Sequence, residues 1–267
     1  MIEPIAARVP YQTSPGNHES EWQVSGNFSN YLARFSMYDQ TAINDGNKDQ
    51  NLETLTNSLS SPTSHYYAFF LGIHAMVISF STELYHFPTY FNQSHIQWQR
   101  EWLERVLASA RNSIINGHNP MWIITVAHRP MYCSSDHLWN DCTTEAAMLR
   151  HHLEPLFNRY KVDLAIWAHE HTYERSWPVY KSQVINNENH QSPYHNPNST
   201  VHVVSGAGGM YSGLNGFDRT EPWLAFRQSQ YGYGLVTVNR THLKWEYKNT
   251  AGDMAGYVVD SFTIEKT

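Results

Sequence analysis

The 267-residue chain sets 18 Lys and Arg against 24 Asp and Glu, a formal charge of −6, and carries 16 histidines. That length suits one large domain able to bury a substantial apolar core, and 14% aromatic residues argue against disorder. The acidic balance and the lack of any Lys/Arg block exclude a nucleic-acid arm, no apolar run approaches the roughly 18 residues of a spanning helix, and Met1-Ile2-Glu3-Pro4 is not expected to open a secretory signal.

In chain order, Ile2, Ile5, Ala6 and Val9 read as the tail of an amphipathic helix. A strand over Val9–Thr13 is expected to run from it into the Pro15-Gly16 turn. Residues 40–64 are polar and irregular, as in a surface loop. Two β-rich apolar runs follow, His65–Leu71 and Ala75–Phe80, joined at Gly72. Ser94 opens the clearest helix: Ser94-x-x-Gln97 matches a capping box, and Trp98, Trp102, Leu103, Val106 and Ala110 share one face. Met121–Ala127 is short and nearly all apolar, the pattern of a strand buried on both faces. A helix is expected over about Thr144–Tyr160, with Met148, Leu149, Leu153, Leu156 and Phe157 inward, and Val162–Ala168 is a second buried strand. After a loop-rich stretch come Val201–Ser205 and three more β-like runs up to Ile264. No repeat or linker divides the chain, so residues 1–267 are read as one domain, a mixed sheet sandwich with helices outside.

Cys133 and Cys142, nine positions apart, either close a small loop in an oxidising compartment or stand as two free thiols. The sequons at Asn27, Asn92, Asn198 and Asn239 are about what chance yields in a chain this rich in Asn, Ser and Thr, and decide nothing about secretion. Charging every histidine would turn the net charge positive in mild acid, a swing that favours phosphate-like anions there.

Three histidine-bearing turns each follow an expected strand: Gly16-Asn17-His18-Glu19, Ala127-His128-Arg129-Pro130 and Ala168-His169-Glu170-His171. Side chains just past the C-terminal strand ends of a layered α/β sheet gather on one rim, where ligands bind. Taken singly, each turn has an ordinary structural explanation. Together, four imidazoles and an amide oxygen on one rim make a metal nest.

These segments resemble the purple acid phosphatases of the metallophosphoesterase family, in their animal branch. The resemblance rests on Gly16-Asn17-His18-Glu19, on His128-Arg129-Pro130-Met131-Tyr132 and on Trp167-Ala168-His169-Glu170-His171-Thr172-Tyr173-Glu174-Arg175. Glu221-Pro222-Trp223, Ala225-Phe226-Arg227 and Tyr231-Gly232-Tyr233-Gly234 look like the family's C-terminal signature, within a strand region over 200–267. The resemblance implies a four-layer α/β/β/α sandwich of two mixed sheets with outer helices, lacking its first strands. It also implies a dinuclear centre that hydrolyses phosphate monoesters. Asn17, His128 and His169 would hold the divalent ion (Zn, Mn or Fe), and His171 the ferric ion. His18 would contact phosphate or protonate the leaving group, Glu19 would orient it, and His137 would lie on the substrate side. A small phosphate monoester is the implied partner, with no nucleic acid and no membrane, in a secreted or lysosomal glycoprotein.

Two family motifs, Gly-Asp-x-Gly and Gly-Asp-x-x-Tyr, which supply carboxylates and the Tyr ligand, precede the Asn-His-Glu turn; here 16 residues precede Asn17, and neither motif is among them. The sequence is therefore expected to be the C-terminal portion of a longer enzyme, with an incomplete ferric site and no purple colour. The competing expectation is a non-catalytic secreted protein of this lineage that binds one divalent ion or a partner.

Overall fold

The computed structural model describes residues 3–20, 28–37, 63–88, 90–115, 122–135, 140–185, 192, 194–209 and 213–267. Among them, strands β1 (Tyr67–Leu71), β2 (Ala75–Ser79), β3 (Trp122–Val126), β4 (Leu164–Trp167), β5 (Tyr173–Ser176), β8 (Val201–Ser205) and β9 (Leu224–Gln228) form one mixed sheet in the order β1-β2-β3-β4-β8-β5-β9. Its centre, β2 to β4 and on to β8, is parallel, while β1, β5 and β9 pair antiparallel. Strands β6 (Val179–Tyr180) and β7 (Gln183–Val184) make a small hairpin. A second sheet of β10 (Gly232–Val238), β11 (His242–Asn249) and β12 (Val258–Glu265) is antiparallel throughout.

Alternation along the strands sorts the core into two halves. Met76, Ile78, Ile123 and Ala165 face one way, onto helices α3 (Gln93–Ile115) and α4 (Ala146–Tyr160) through Leu103, Val106, Leu149, Leu153 and Phe157. Ala75, Val77, Trp122, Ile124 and Leu164 face the other way, onto Leu243, Trp245, Tyr247, Phe262 and Ile264 of the second sheet. Both faces of the parallel strands are therefore dry, as their unbroken apolar runs require. Two short helices, α1 (Glu3–Ala6) and α2 (Ser29–Arg34), complete the α-helices of the described residues. The mixed α/β sandwich agrees with the sequence reading. Its second sheet is three-stranded and purely antiparallel rather than mixed, and among the described residues no helix covers the outer face that carries Tyr233 and Leu235.

Several local expectations change. Val9–Thr13 is irregular rather than a strand: the Tyr31 and Tyr67 hydroxyls both donate to the Thr13 carbonyl, occupying an acceptor that a ladder would need. Helix α3 is capped by Asn92 rather than Ser94, its Oδ1 accepting from Ser94 N at 3.0 Å and His95 N at 3.3 Å. Trp98 is 57% exposed, lying one turn short of the buried stripe and packing edge-on against His95. The stretch read as loop-rich contains β5, in the interior of the large sheet. Its Glu174 and Arg175 disguise it in the sequence, yet both are buried with partners: Glu174 accepts from Ser134 and Thr172, and Arg175 grips Asp260 of β12 through Nε at 2.7 Å and Nη2 at 2.9 Å. The loop expected over 40–64 lies, up to residue 62, outside the described residues.

Gly232 and Gly234 show why β10 needs glycine. A Cβ at 234 would sit 2.0 Å from the Trp245 ring, and one at 232 would sit 2.6 Å from the Tyr247 ring. Those rings fill the space between the two sheets, where Tyr247 stacks on Tyr173 at 3.9 Å.

Candidate metal centre

Parallel pairing of β3 with β4, which sets Val126 opposite Ile166, brings the turns after both strands to the same rim. The Ala168 N–H donates to the His128 carbonyl at 2.9 Å and ties the two turns together. The third turn is attached next door, where Ser14 Oγ donates to the carbonyl of Phe80, just past β2. The strand ends thus bring His128 and His169, 41 residues apart, to Asn17, which lies 111 residues before His128.

Their polar atoms converge. His128 Nε2 lies 2.8 Å from Asn17 Oδ1 and 3.1 Å from His169 Nδ1, and the two imidazole centroids are 4.9 Å apart. Gly16 makes room: a Cβ there would lie 2.8 Å from His128 Cε1. His169 itself adopts a left-handed backbone, φ 66°, uncommon for a residue with a side chain and held here against its local preference. Burial first, then repulsion between its charged form and those of the neighbouring His169 and Arg129, keeps His128 well below the usual imidazole range. A neutral His128 carries one ring proton, and Asn17 Oδ1 and His169 Nδ1 both stand as acceptors for it. An amide oxygen and two imidazole nitrogens facing one another are a donor set that suits a divalent cation.

The other candidates divide. His18 is exposed at the rim and its side chain makes no hydrogen bond among the described residues. Glu19 Oε2 accepts from the Gly16 N–H at 2.8 Å, closing the short 3₁₀ turn Asn17–Ser20. His171 is held through its backbone, its N–H donating to Asn215 Oδ1 at 2.7 Å. Two groupings of three His, Cys or carboxylate donors occur among the described residues, Cys133/Cys142/Glu170 and Asp141/His169/Glu170, and neither includes His171. The donors shown do not fit a ferric ion at His171. His137 lies outside the described residues.

Sequence reasoning missed a carboxylate layer behind the histidines. Asp141 Oδ2 lies 3.1 Å from His169 Nε2. Arg129 donates to Glu83 through Nε at 3.2 Å and to Glu145 through Nη1 at 2.5 Å, and its Nη1 lies 3.6 Å from Asp141 Oδ1. Cys133 and Cys142 form a disulfide, which fastens the start of this segment beside the His128 turn. Glu170 is fully buried: Ser135 Oγ donates to one of its oxygens and the other has no hydrogen-bond partner among the described residues. Burial pushes its carboxyl up to about 8. A Cβ on Gly206 would lie 2.0 Å from the Glu170 carbonyl, so that glycine lets β8's exit pass the histidine turn. The available signal was the Asp141-Cys142 adjacency, which a bridge would carry to the rim.

An α/β sandwich with a histidine rim of this kind defines a metallophosphoesterase. The family description "Calcineurin-like phosphoesterase" matches residues 1–173, and "Iron/zinc purple acid phosphatase-like protein C" matches 199–261. The chain belongs to this family, in its purple acid phosphatase branch. It is 40% identical to "Acid phosphatase type 7" of Mus musculus over 273 residues, covering 99% of this chain and 55% of that one. It is 31% identical to "Probable inactive purple acid phosphatase 27" of Arabidopsis thaliana, covering 99% of this chain and 39% of that one. The solved purple acid phosphatase PPD1 from yellow lupin seeds superposes with a TM-score of 0.70 at 29% identity, covering 99% of this chain and 42% of that one. The chain thus spans about half the length of the animal relatives it matches. The branch uses a dinuclear metal centre.

Proposed function

We propose that this chain is the metal-binding part of a metal-dependent acid phosphatase that hydrolyses phosphate monoesters. The observation that carries the reading is the meeting of Asn17 Oδ1 and His169 Nδ1 at His128 Nε2, at 2.8 and 3.1 Å. A Zn, Mn or Fe(II) ion held there would supply Lewis acidity toward phosphate oxygens. Asn17 contributes its amide oxygen, and His128 and His169 contribute neutral nitrogens. His18, exposed one residue from Asn17, offers an imidazole to the phosphate or to the departing alcohol. The family's ferric ion is assigned to His171 by resemblance; neither three-donor grouping among the described residues includes His171, and no step is routed through that ion.

The partner proposed is a small phosphate monoester, with neither nucleic acid nor membrane; no described helix is long and apolar enough to cross one. A secreted or lysosomal location agrees with the Cys133–Cys142 bridge.

A second reading, binding of one divalent ion without turnover, is favoured by the plant relative named inactive. p-Nitrophenyl phosphate hydrolysis at pH 5 with added iron and zinc separates the two. The phosphatase reading expects metal-stimulated turnover that disappears in His169→Ala. Metal binding without turnover supports the second reading, and turnover that survives both His128→Ala and His169→Ala contradicts the proposed site.

A further inference from the structure

We propose that Asp141 is the positioning residue of the divalent site, holding His169 in the tautomer that leaves Nδ1 free to ligate. The inference rests on the metal-site reading above and adds a residue to it. The two His169 nitrogens face different neighbours: Nδ1 faces His128 Nε2 at 3.1 Å, whereas Nε2 faces Asp141 Oδ2 at 3.1 Å.

Only one nitrogen of a neutral imidazole carries the proton. With the proton on Nδ1, a bare Nε2 lone pair would point at a carboxylate oxygen. Nδ1–H would also compete with Asn17 for contact with His128 Nε2. With the proton on Nε2, both of these contacts are matched: Nε2–H donates to Asp141, and Nδ1 accepts from His128. Arg129 Nη1, 3.3 Å from the same Nε2, does not reverse this choice. It already donates to Glu145 at 2.5 Å, and its positive charge lies 3.6 Å from the other Asp141 oxygen, steadying the carboxylate instead. A carboxylate on the far nitrogen of a ligating histidine fixes ring orientation and raises ligand basicity.

The placement of Asp141 is built into the fold. Its side chain is buried, and it opens the single π-helical turn Asp141–Glu145 that leads into α4. The Cys133–Cys142 bridge ties the adjacent residue to the segment following His128. One disulfide therefore links the strand exit that supplies His128 to the carboxylate that steers His169.

The test needs no loaded enzyme. In metal-free protein labelled with ¹⁵N-histidine, a long-range ¹H–¹⁵N correlation reads which His169 nitrogen bears the proton. The proposal requires Nε2–H in the wild type, a mixture of tautomers in Asp141→Ala, and Nε2–H retained in Asp141→Asn, whose amide oxygen still accepts. Calorimetric Zn²⁺ titration should show affinity weakened roughly 10- to 100-fold in Asp141→Ala and mostly restored in Asp141→Asn. A wild-type proton on Nδ1, undiminished Zn²⁺ affinity in Asp141→Ala, or equal losses in both variants would overturn the assignment. Equal losses would instead make Asp141 a ligand. If wild type itself binds no Zn²⁺, the metal-site reading fails while the tautomer still reports on Asp141.

Discussion

Gly16 shows how finely the histidine rim is fitted at single positions. Because a Cβ there would reach 2.8 Å from His128 Cε1, Gly16→Ala must push the ring aside or move the Asn17 turn. Either shift separates Asn17 Oδ1 from His128 Nε2. We expect a stability loss of about 1–3 kcal/mol, typical of overpacking, with Zn²⁺ affinity falling further than stability; thermal melts and calorimetry on the same variant read both. An unchanged affinity would show that the turn adjusts freely. Asn17, His128, His169 and His171 were legible as candidates because each sits just beyond a turn or an apolar strand end. The contact of the Glu19 carboxylate with the Gly16 backbone was not read from sequence. Asp141 was not legible, because its approach to His169 depends on folding across 28 residues and has no local pattern.

The segment from Cys133 to Cys142 illustrates the next scale, where a short covalent loop stabilises an irregular element. Closing so small a loop removes denatured-state entropy worth about 2–3 kcal/mol. Replacing both cysteines with serine should lower the melting temperature accordingly and also weaken Zn²⁺ binding, because Asp141 loses its tether. A melt shift with no change in Zn²⁺ affinity would confine the bridge to stability. Elements with one-sided or wholly apolar patterns, such as β3, β4 and α4, were read from sequence close to their observed bounds. β5 was not, since buried Glu174 and Arg175 belong to a strand only through partners in Ser134, Thr172 and Asp260. Hydrophobic periodicity does not register a strand whose burial is paid in paired charges.

Across the whole molecule, the fold curtails the charge reversal implied by 16 histidines. Burial holds His65 down to about 4 and His86 and His202 to about 3, with His128 also well below its ordinary value. The sign of the consequence is definite. Near pH 5 the unfolded chain protonates these rings while the folded chain does not, so they cost stability as pH falls below about 6.5. Glu83 and Glu170, raised by burial to about 7 and about 8, act oppositely and cost stability as pH rises from about 4.5. Removing one buried titrating ring, as in His202→Asn, should reduce the acid-side slope by about 1.4 kcal/mol per pH unit, measured by urea unfolding between pH 4 and 6. An unaltered slope would mean that His202 titrates normally in the folded protein. The sandwich itself was legible from the order of strands and helices. The purely antiparallel second sheet was not, because strand direction is set by connections rather than by composition.

If Asn17, His128 and His169 hold one cation, calorimetric titration of the metal-free protein with Zn²⁺ reads it. The expected result is a saturable site whose affinity falls more than about 100-fold in His128→Ala and in His169→Ala, beyond the loss expected for a residue that only supports a ligand, with both variants still folded by circular dichroism. Zn²⁺ binding that persists at wild-type strength in either folded variant would contradict it.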